Sequence, residues 1–303
     1  MGATASGKTS LAVDLVRGHR CEIVSVDSAM VYRGMDIGTA KPDDKTLELA
    51  PHRLINIREP EDSYSAGEFR RDALKAIEEI HLAGKVPLLV GGTMLYYRVL
   101  EQGIAELPQA DPGLRRELDE RAARLGWPAL HAELASIDPG AAARIQPADA
   151  QRIQRALEVY RLSGHCLSDL QARARTQVLP YQVSKFGLWL DDRELLHKRI
   201  VQRFAQMLEQ GFVEEVRGLA ARPGFRNDLP SMRAVGYRQL LEHIAGRQTL
   251  EQACISAVAA TRQLAKRQYT WMRSQRDLIK LDALDQSAHS LIYEAAARAE
   301  TGA

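Results

Sequence analysis

The spacing of apolar positions changes several times along the chain, and each change marks an element. Leu11, Ala12 and Leu15 recur at helical spacing and predict a helix from Lys8 to Val16. Gly18 breaks that pattern, and Cys21 to Val26, with Ile23, Val24 and Val26, reads as a buried strand. His52 to Ile57 is a second strand candidate, closed by a turn at Pro60. Ser65 followed by Glu68 has the spacing of a capping box and opens a helix to about Ala83, with Phe69, Ala73, Ile77 and Ile80 on its inner stripe. The run from Lys85 to Val90 is apolar without alternation, as expected of a parallel strand covered on both faces. Gly91-Gly92-Thr93 then leads into a helix from Met94 to Leu100. Strands alternating with helices predict a doubly wound α/β core.

Past Pro108 the pattern becomes purely helical. Ala-, Arg- and Leu-rich segments run from Pro112 to Leu125, Trp127 to Ser136, Gly140 to Ile145 and Asp149 to Ser163, separated by Pro or Gly. Strand character returns from Phe186 to Leu190, followed by a helix from Arg193 with Leu196, Ile200, Phe204 and Leu208 on one face. Pro230 to Arg238 reads as a compact loop entering a helix, and Thr249 to Arg276 as one long helix. Beyond Leu281 the chain is Ala-rich and carries no clear pattern. The expected organisation is a core of residues 1–108 and 181–303 with C-terminal helices, interrupted by a helical insertion at 109–180.

At 303 residues the chain is long enough for this arrangement, and 45% hydrophobic content is that of a globular protein. No apolar run is long enough for a membrane span, and no secretory leader is expected, so no membrane partner is foreseen. Cys21, Cys166 and Cys254 are widely spaced, without a C-x-x-C pair, which fits a reducing cytoplasm and suggests neither disulfides nor zinc. The net charge of +2 leaves a nucleic-acid partner open, so the distribution of charge decides.

Candidate chemistry starts at Gly2-Ala3-Thr4-Ala5-Ser6-Gly7-Lys8-Thr9, a G-x-x-x-x-G-K-[ST] phosphate-binding loop. Its glycines let backbone N–H groups converge on a phosphate, Lys8 neutralises outer oxygens, and the Thr9 hydroxyl suits Mg²⁺. Asp27, at the carboxyl end of a strand, is either a Mg²⁺ ligand or general base, or a turn cap. Thr93 stands at the corresponding end of its own strand and also suits an N-cap. Arg199 and Arg203 share a helix face that reaches a ligand phosphate or simply faces solvent. The long helix carries Arg262, Lys266, Arg267, Arg273 and Arg276 interleaved with Tyr269 and Trp271, a mixture suited to RNA phosphates and unstacked bases or to a solvated basic face.

Taken together with Ser25 to Tyr32, Gly38 to Pro42, Gly91 to Tyr96, Gln151 to Val159, Ala234 to Gln239 and Ala260 to Gln268, these stretches closely resemble the bacterial tRNA dimethylallyltransferase (tRNA isopentenyltransferase) family from residue 2 to about residue 276. The resemblance implies a P-loop NTPase-like parallel sheet flanked by helices, with an all-helical insertion that contacts tRNA. It implies transfer of a dimethylallyl group from its diphosphate to N6 of the adenosine immediately 3′ of the anticodon. The loop Gly2–Thr9 would then hold the donor's diphosphate rather than ATP.

By the same resemblance Asp27, Thr93 and Arg203 are the catalytic residues, with Arg203 in the motif Arg203-Phe204-Ala205-Gln206-Met207-Leu208. Thr9 and Asp27 are expected around Mg²⁺. Asp27, Ser28, Ala29, Met30, Thr93, Arg115, Gln151, Arg152, Ile153, Gln154, Arg155, Arg233, Ala234, Val235, Gly236, Tyr237, Arg238, Thr261, Arg262, Lys266 and Arg267 are expected to grip the tRNA anticodon stem-loop. The protein is expected to be a cytoplasmic monomer. Two features depart from the family: Ala3 stands where proline is common, and only Met1 precedes Gly2 where members carry an apolar strand. Either the loop lacks its usual anchor or that strand lies upstream. The absence of paired cysteines separates the chain from eukaryotic members, which carry a zinc finger. Rival readings are a small-molecule kinase, a prenyltransferase acting on free adenine nucleotides, and a non-catalytic RNA-binding protein.

Overall fold

The computed structural model describes residues 1–105, 107–174 and 179–301. The chain divides into two compact units, one of Met1–Tyr97 with Tyr181–Ala303 and the other of Arg98–Pro180.

The first unit opens on α1 (Lys8–Gly18), β1 (Cys21–Val26), α2 (Asp44–Leu49), β2 (His52–Arg53), α3 (Ala66–Leu82), β3 (Val86–Gly91) and the start of α4 (Met94–Gln102). β1 lies between β2 and β3, all parallel, and pairs with β3 from Cys21↔Val86 to Val26↔Gly91. Every residue of β1 is buried, the polar Glu22 and Ser25 together with the apolar Cys21, Ile23, Val24 and Val26, as befits a central parallel strand. α3 begins with the expected capping box: Glu68 N donates to Ser65 Oγ at 3.1 Å, and Ser65 N to Glu68 Oε2 at 2.9 Å. β2 is shorter than the apolar run His52–Ile57 suggests. Leu54 and Asn56 take φ of 64° and 54°, which turns the chain out of the extended region.

The second unit consists of the remainder of α4 with α5 (Pro112–Leu125), α6 (Trp127–Ile137), α7 (Pro139–Ala142), α8 (Ala150–Ser163) and α9 (Leu167–Ala174), and has no strand among the described residues. Leu118, Leu130, Leu134, Ile153 and Leu157 are fully buried in its core. The first unit then resumes with β4 (Lys185–Trp189), α10 (Arg193–Glu209), α11 (Phe212–Ala220), α12 (Tyr237–Ile244), α13 (Leu250–Arg273), β5 (Leu278–Asp282) and α14 (Gln286–Thr301). β5 and α14 are elements that the sequence pattern past Arg276 did not announce. β5 pairs parallel with β4 but exposes Ile279 and Lys280, so it lacks a continuous apolar signature. Met1 and Gly2 run beside β4: the Met1 amine donates to Phe186 O at 2.7 Å, and Leu188 N donates to Met1 O at 3.0 Å. The phosphate-binding loop thus starts from backbone paired with a strand.

Candidate active site

Gly7 caps α1 with φ 87°, a left-handed conformation that strains any residue with a Cβ. It aims the N–H groups opening α1, which have no earlier carbonyl to bond, toward the site where an anion would sit. Ala3 and Ser6 are buried within the loop, and the Ser6 hydroxyl is enclosed without a hydrogen-bond partner. The Lys8 ammonium folds back to donate to Ala3 O at 3.3 Å.

Asp27 follows β1 directly. Its Oδ1 accepts from Ala29 N at 2.9 Å and Met30 N at 3.3 Å, so the turn-capping role read from sequence is present. Oδ2 accepts no hydrogen bond among the described residues and is available for other chemistry. Thr93 follows β3 and extends the ladder, its N–H donating to Val26 O at 3.1 Å. Its hydroxyl accepts from Ser28 N at 3.0 Å and donates to Ser28 Oγ at 3.3 Å. The two strand ends are thereby locked together.

Arg203, from α10, donates through Nη2 to Thr39 O at 3.5 Å. Burial lowers its guanidinium pKa from the ordinary value, and the charge of Asp27 opposes that shift. Burial likewise pushes Lys8 down to about 8, with Asp27 raising it and Arg203 lowering it further. Lys8, Asp27 and Arg203 therefore feel one another's charges, yet none of them forms an ion pair with another among the described residues. Two cations, one carboxylate and a helix N-terminus leave a positive balance suited to a diphosphate.

A divalent cation fits this donor set. Among the described residues, no three His, Cys, Asp or Glu side chains stand close enough to hold a metal by themselves. The Thr9 hydroxyl and Asp27 carboxylate are hard oxygen donors, and Mg²⁺ characteristically takes one or two protein oxygens together with phosphate oxygens and water.

The RNA-facing expectations separate by burial. Arg262, Lys266, Arg267, Arg273 and Arg276 are exposed along α13 and just after it, and none pairs with a carboxylate among the described residues. Thr261 is half-buried, its hydroxyl donating to Ala257 O at 2.8 Å. Ser28 is exposed, with Ala29 and Met30 half-buried beside it. Arg233 and Arg238 are exposed, while Ala234 and Val235 are half-buried and Gly236 is buried. Tyr237 is fully buried, and its hydroxyl donates to Glu215 Oε1 at 2.6 Å.

In the helical unit Gln151 and Arg152 are exposed. The side chain of Ile153 is sealed in that unit's core. Gln154 donates to Asp119 Oδ1 at 2.7 Å and Arg115 O at 3.2 Å. Arg115 grips the fully buried Glu158 with bonds of 2.9 and 3.1 Å, and Arg155 adds one of 2.6 Å. Burial alone would raise the Glu158 carboxyl, but the bonds from Arg115 and Arg155 overrule it and hold it below the usual range. Both arginines thus carry a structural duty that their sequence pattern did not reveal.

Other organising residues also lay outside the sequence motifs. Glu215 accepts from the N–H groups of Asp36, Ile37 and Gly38 at 2.9, 2.7 and 3.1 Å, shaping the turn that presents Thr39 O to Arg203. Gln268 from α13 accepts from Thr4 N at 3.0 Å and donates to Gly92 O at 2.9 Å. Neither residue announces itself, since one is a glutamate on an amphipathic helix and the other an amide inside a basic run.

The sequence model of the family described as IPP transferase matches residues 30–275. The chain is 54% identical over 303 residues to the tRNA dimethylallyltransferase of Methylobacillus flagellatus, covering 100% of this chain and 95% of that protein. It is 58% identical over 279 residues to the tRNA dimethylallyltransferase of Alkalilimnicola ehrlichii, covering 91% of this chain and 87% of the other. Among solved structures, a tRNA isopentenylpyrophosphate transferase from Bacillus halodurans superimposes with a TM-score of 0.70 at 36% identity, covering 99% of this chain and 97% of the other. A eukaryotic dimethylallyltransferase acting on tRNA gives a TM-score of 0.78 at 26% identity, covering 98% of this chain and 76% of that one.

Proposed function

The chain belongs to the IPP transferase family, and from that premise we propose that it transfers a dimethylallyl group from dimethylallyl diphosphate to N6 of the adenosine 3′-adjacent to the anticodon of tRNA. The observation that carries the reading is the gathering of Lys8, Asp27 and Arg203 around the Gly2–Thr9 loop. Such a site offers both a cradle for a diphosphate and a carboxylate for an attacking amine.

The N6 lone pair attacks the allylic carbon, the carbon–oxygen bond breaks, and the diphosphate leaves with the bonding electrons. Positive charge develops on the allyl group and negative charge on the departing oxygens. Lys8, Arg203 and the loop N–H groups stabilise the latter, because their dipoles and charges are already in place. Asp27 orients the amine and takes its proton through the carboxylate oxygen left open by the turn. Thr93, held against Ser28, borders the position of the base, which must leave its stack to reach the site. Mg²⁺, bound by Thr9 and Asp27 with the diphosphate, would supply charge neutralisation of the leaving group. Arg262, Lys266 and Arg267 meet the RNA backbone, since exposed cations that pair with no carboxylate among the described residues lose no ion pair on binding phosphate.

The test is incubation with Mg²⁺, dimethylallyl diphosphate and unmodified tRNA, then digestion and detection of N6-isopentenyladenosine. Product on AMP but not on tRNA would replace the acceptor. Consumption of ATP without any prenylated product would favour a kinase instead.

A further inference from the structure

Gln268 occupies the buried face of α13, on the same side as Ala265, Tyr269 and Met272, and is only 6% exposed. A buried side-chain amide requires partners, and here they lie on two separate functional loops. Thr4 N, within the phosphate-binding loop, donates to Oε1 at 3.0 Å, and Nε2 donates to Gly92 O at 2.9 Å, one residue before Thr93. A backbone N–H can only donate and a carbonyl can only accept, so the orientation of this amide is set by its neighbours. The approach is close enough that a Cβ on Gly92 would collide with Nε2. Thr93 in turn binds Ser28, the residue after Asp27. One amide therefore links the diphosphate cradle to the turn that adjoins the proposed base.

We propose that Gln268 is a positioning residue that holds the phosphate-binding loop in register with the Gly92–Thr93 turn, and so sets donor against acceptor. It contacts neither substrate and acts through the two loops. The inference rests on the functional reading above. In-line displacement tolerates little misplacement, and a shift of about 1 Å can cost about a hundredfold in rate.

The test compares Gln268→Leu and Gln268→Glu with the wild type. Gln268→Leu removes both bonds, and its kcat/KM for dimethylallyl diphosphate is expected to fall about a hundredfold, with tRNA affinity within about twofold. Gln268→Glu keeps the shape and the acceptor for Thr4 N but, when ionised, loses the donor to Gly92 O. Protonation restores that donor, so its kcat relative to wild type should rise as pH falls. A purely structural role would not produce that dependence. The proposal is overturned if Gln268→Leu retains kcat/KM within about twofold, or if the Gln268→Glu ratio is flat with pH. It is equally overturned if donor kinetics, tRNA affinity and melting temperature decline in parallel in both variants. Calorimetry with inorganic diphosphate, without tRNA, separates the two readings. A wild type that binds diphosphate but prenylates nothing sinks the function, whereas a prenylating wild type with unaffected variants sinks only the role of Gln268.

Discussion

The lowered pKa of Lys8 makes donor binding pH-dependent in a window where lysines ordinarily do not titrate. Burial beside Arg203 outweighs the attraction of Asp27 and brings Lys8 from 10.5 to about 8. A group with that value is about nine-tenths charged at pH 7 and about one-tenth charged at pH 9. If the diphosphate binds the ammonium form, its apparent affinity falls roughly tenfold between those values, or about 1.4 kcal/mol. The terminal phosphate of an ester such as dimethylallyl diphosphate ionises near pH 6, is largely ionised throughout this range and does not offset the loss. Bound diphosphate restores the ammonium, so binding at pH 8.5 should take up about three-quarters of a proton.

Titration calorimetry with dimethylallyl diphosphate, in buffers of different ionisation enthalpy, measures both quantities. Lys8→Arg should bind with a flat profile, because guanidinium keeps its charge. Stability moves the other way. The folded pKa lies below the unfolded one, so the unfolded chain holds more protons between about 8 and about 10.5, and this group's contribution to stability rises with pH there. Weaker binding at pH 9 would therefore not reflect unfolding through Lys8. A constant affinity up to pH 9.5, or no proton uptake at pH 8.5, would show that Lys8 does not titrate in this window.

Other consequences are equally specific. Asp27→Asn keeps an oxygen for the N–H groups of Ala29 and Met30, so kcat should fall about 10²- to 10⁴-fold while tRNA affinity holds; lost tRNA binding in equilibrium assays would make Asp27 structural instead. Glu158→Gln leaves Arg115 and Arg155 without their buried countercharge and should cost about 3 kcal/mol in urea denaturation near neutral pH. Because the Glu158 carboxyl is held low, its stabilisation is present above the ordinary carboxylate range and lost in acid, so the deficit should shrink as pH falls; equal denaturation curves at pH 7 would sink the idea. Lys266→Gln and Arg267→Gln should each weaken tRNA binding and flatten its salt dependence by up to about one unit of log–log slope. An unchanged slope would remove those side chains from the interface.

The sequence by itself determined the elements whose cause is local. The capping box at Ser65 and Glu68, the buried run of β1 and the phosphate-loop motif each complete their pattern within a few residues, so they are legible without a fold. The set of motifs also sufficed to name the family. Patterns that need a distant partner stayed hidden. β5 becomes a strand because β4 supplies its ladder, and Tyr237 lies inside because neighbouring helices close over it. Arg115 and Arg155 look like free cations until the fold places Glu158 between them. Likewise Asp27 had two equal readings in sequence, and the structure shows one oxygen capping a turn, with no hydrogen bond to the other among the described residues. What only the tertiary structure decided is which charges share a low-dielectric space and which amide spans two loops. Those outcomes depend on burial and on contacts between residues far apart in the chain, as in Thr4–Gln268–Gly92, which no local periodicity encodes.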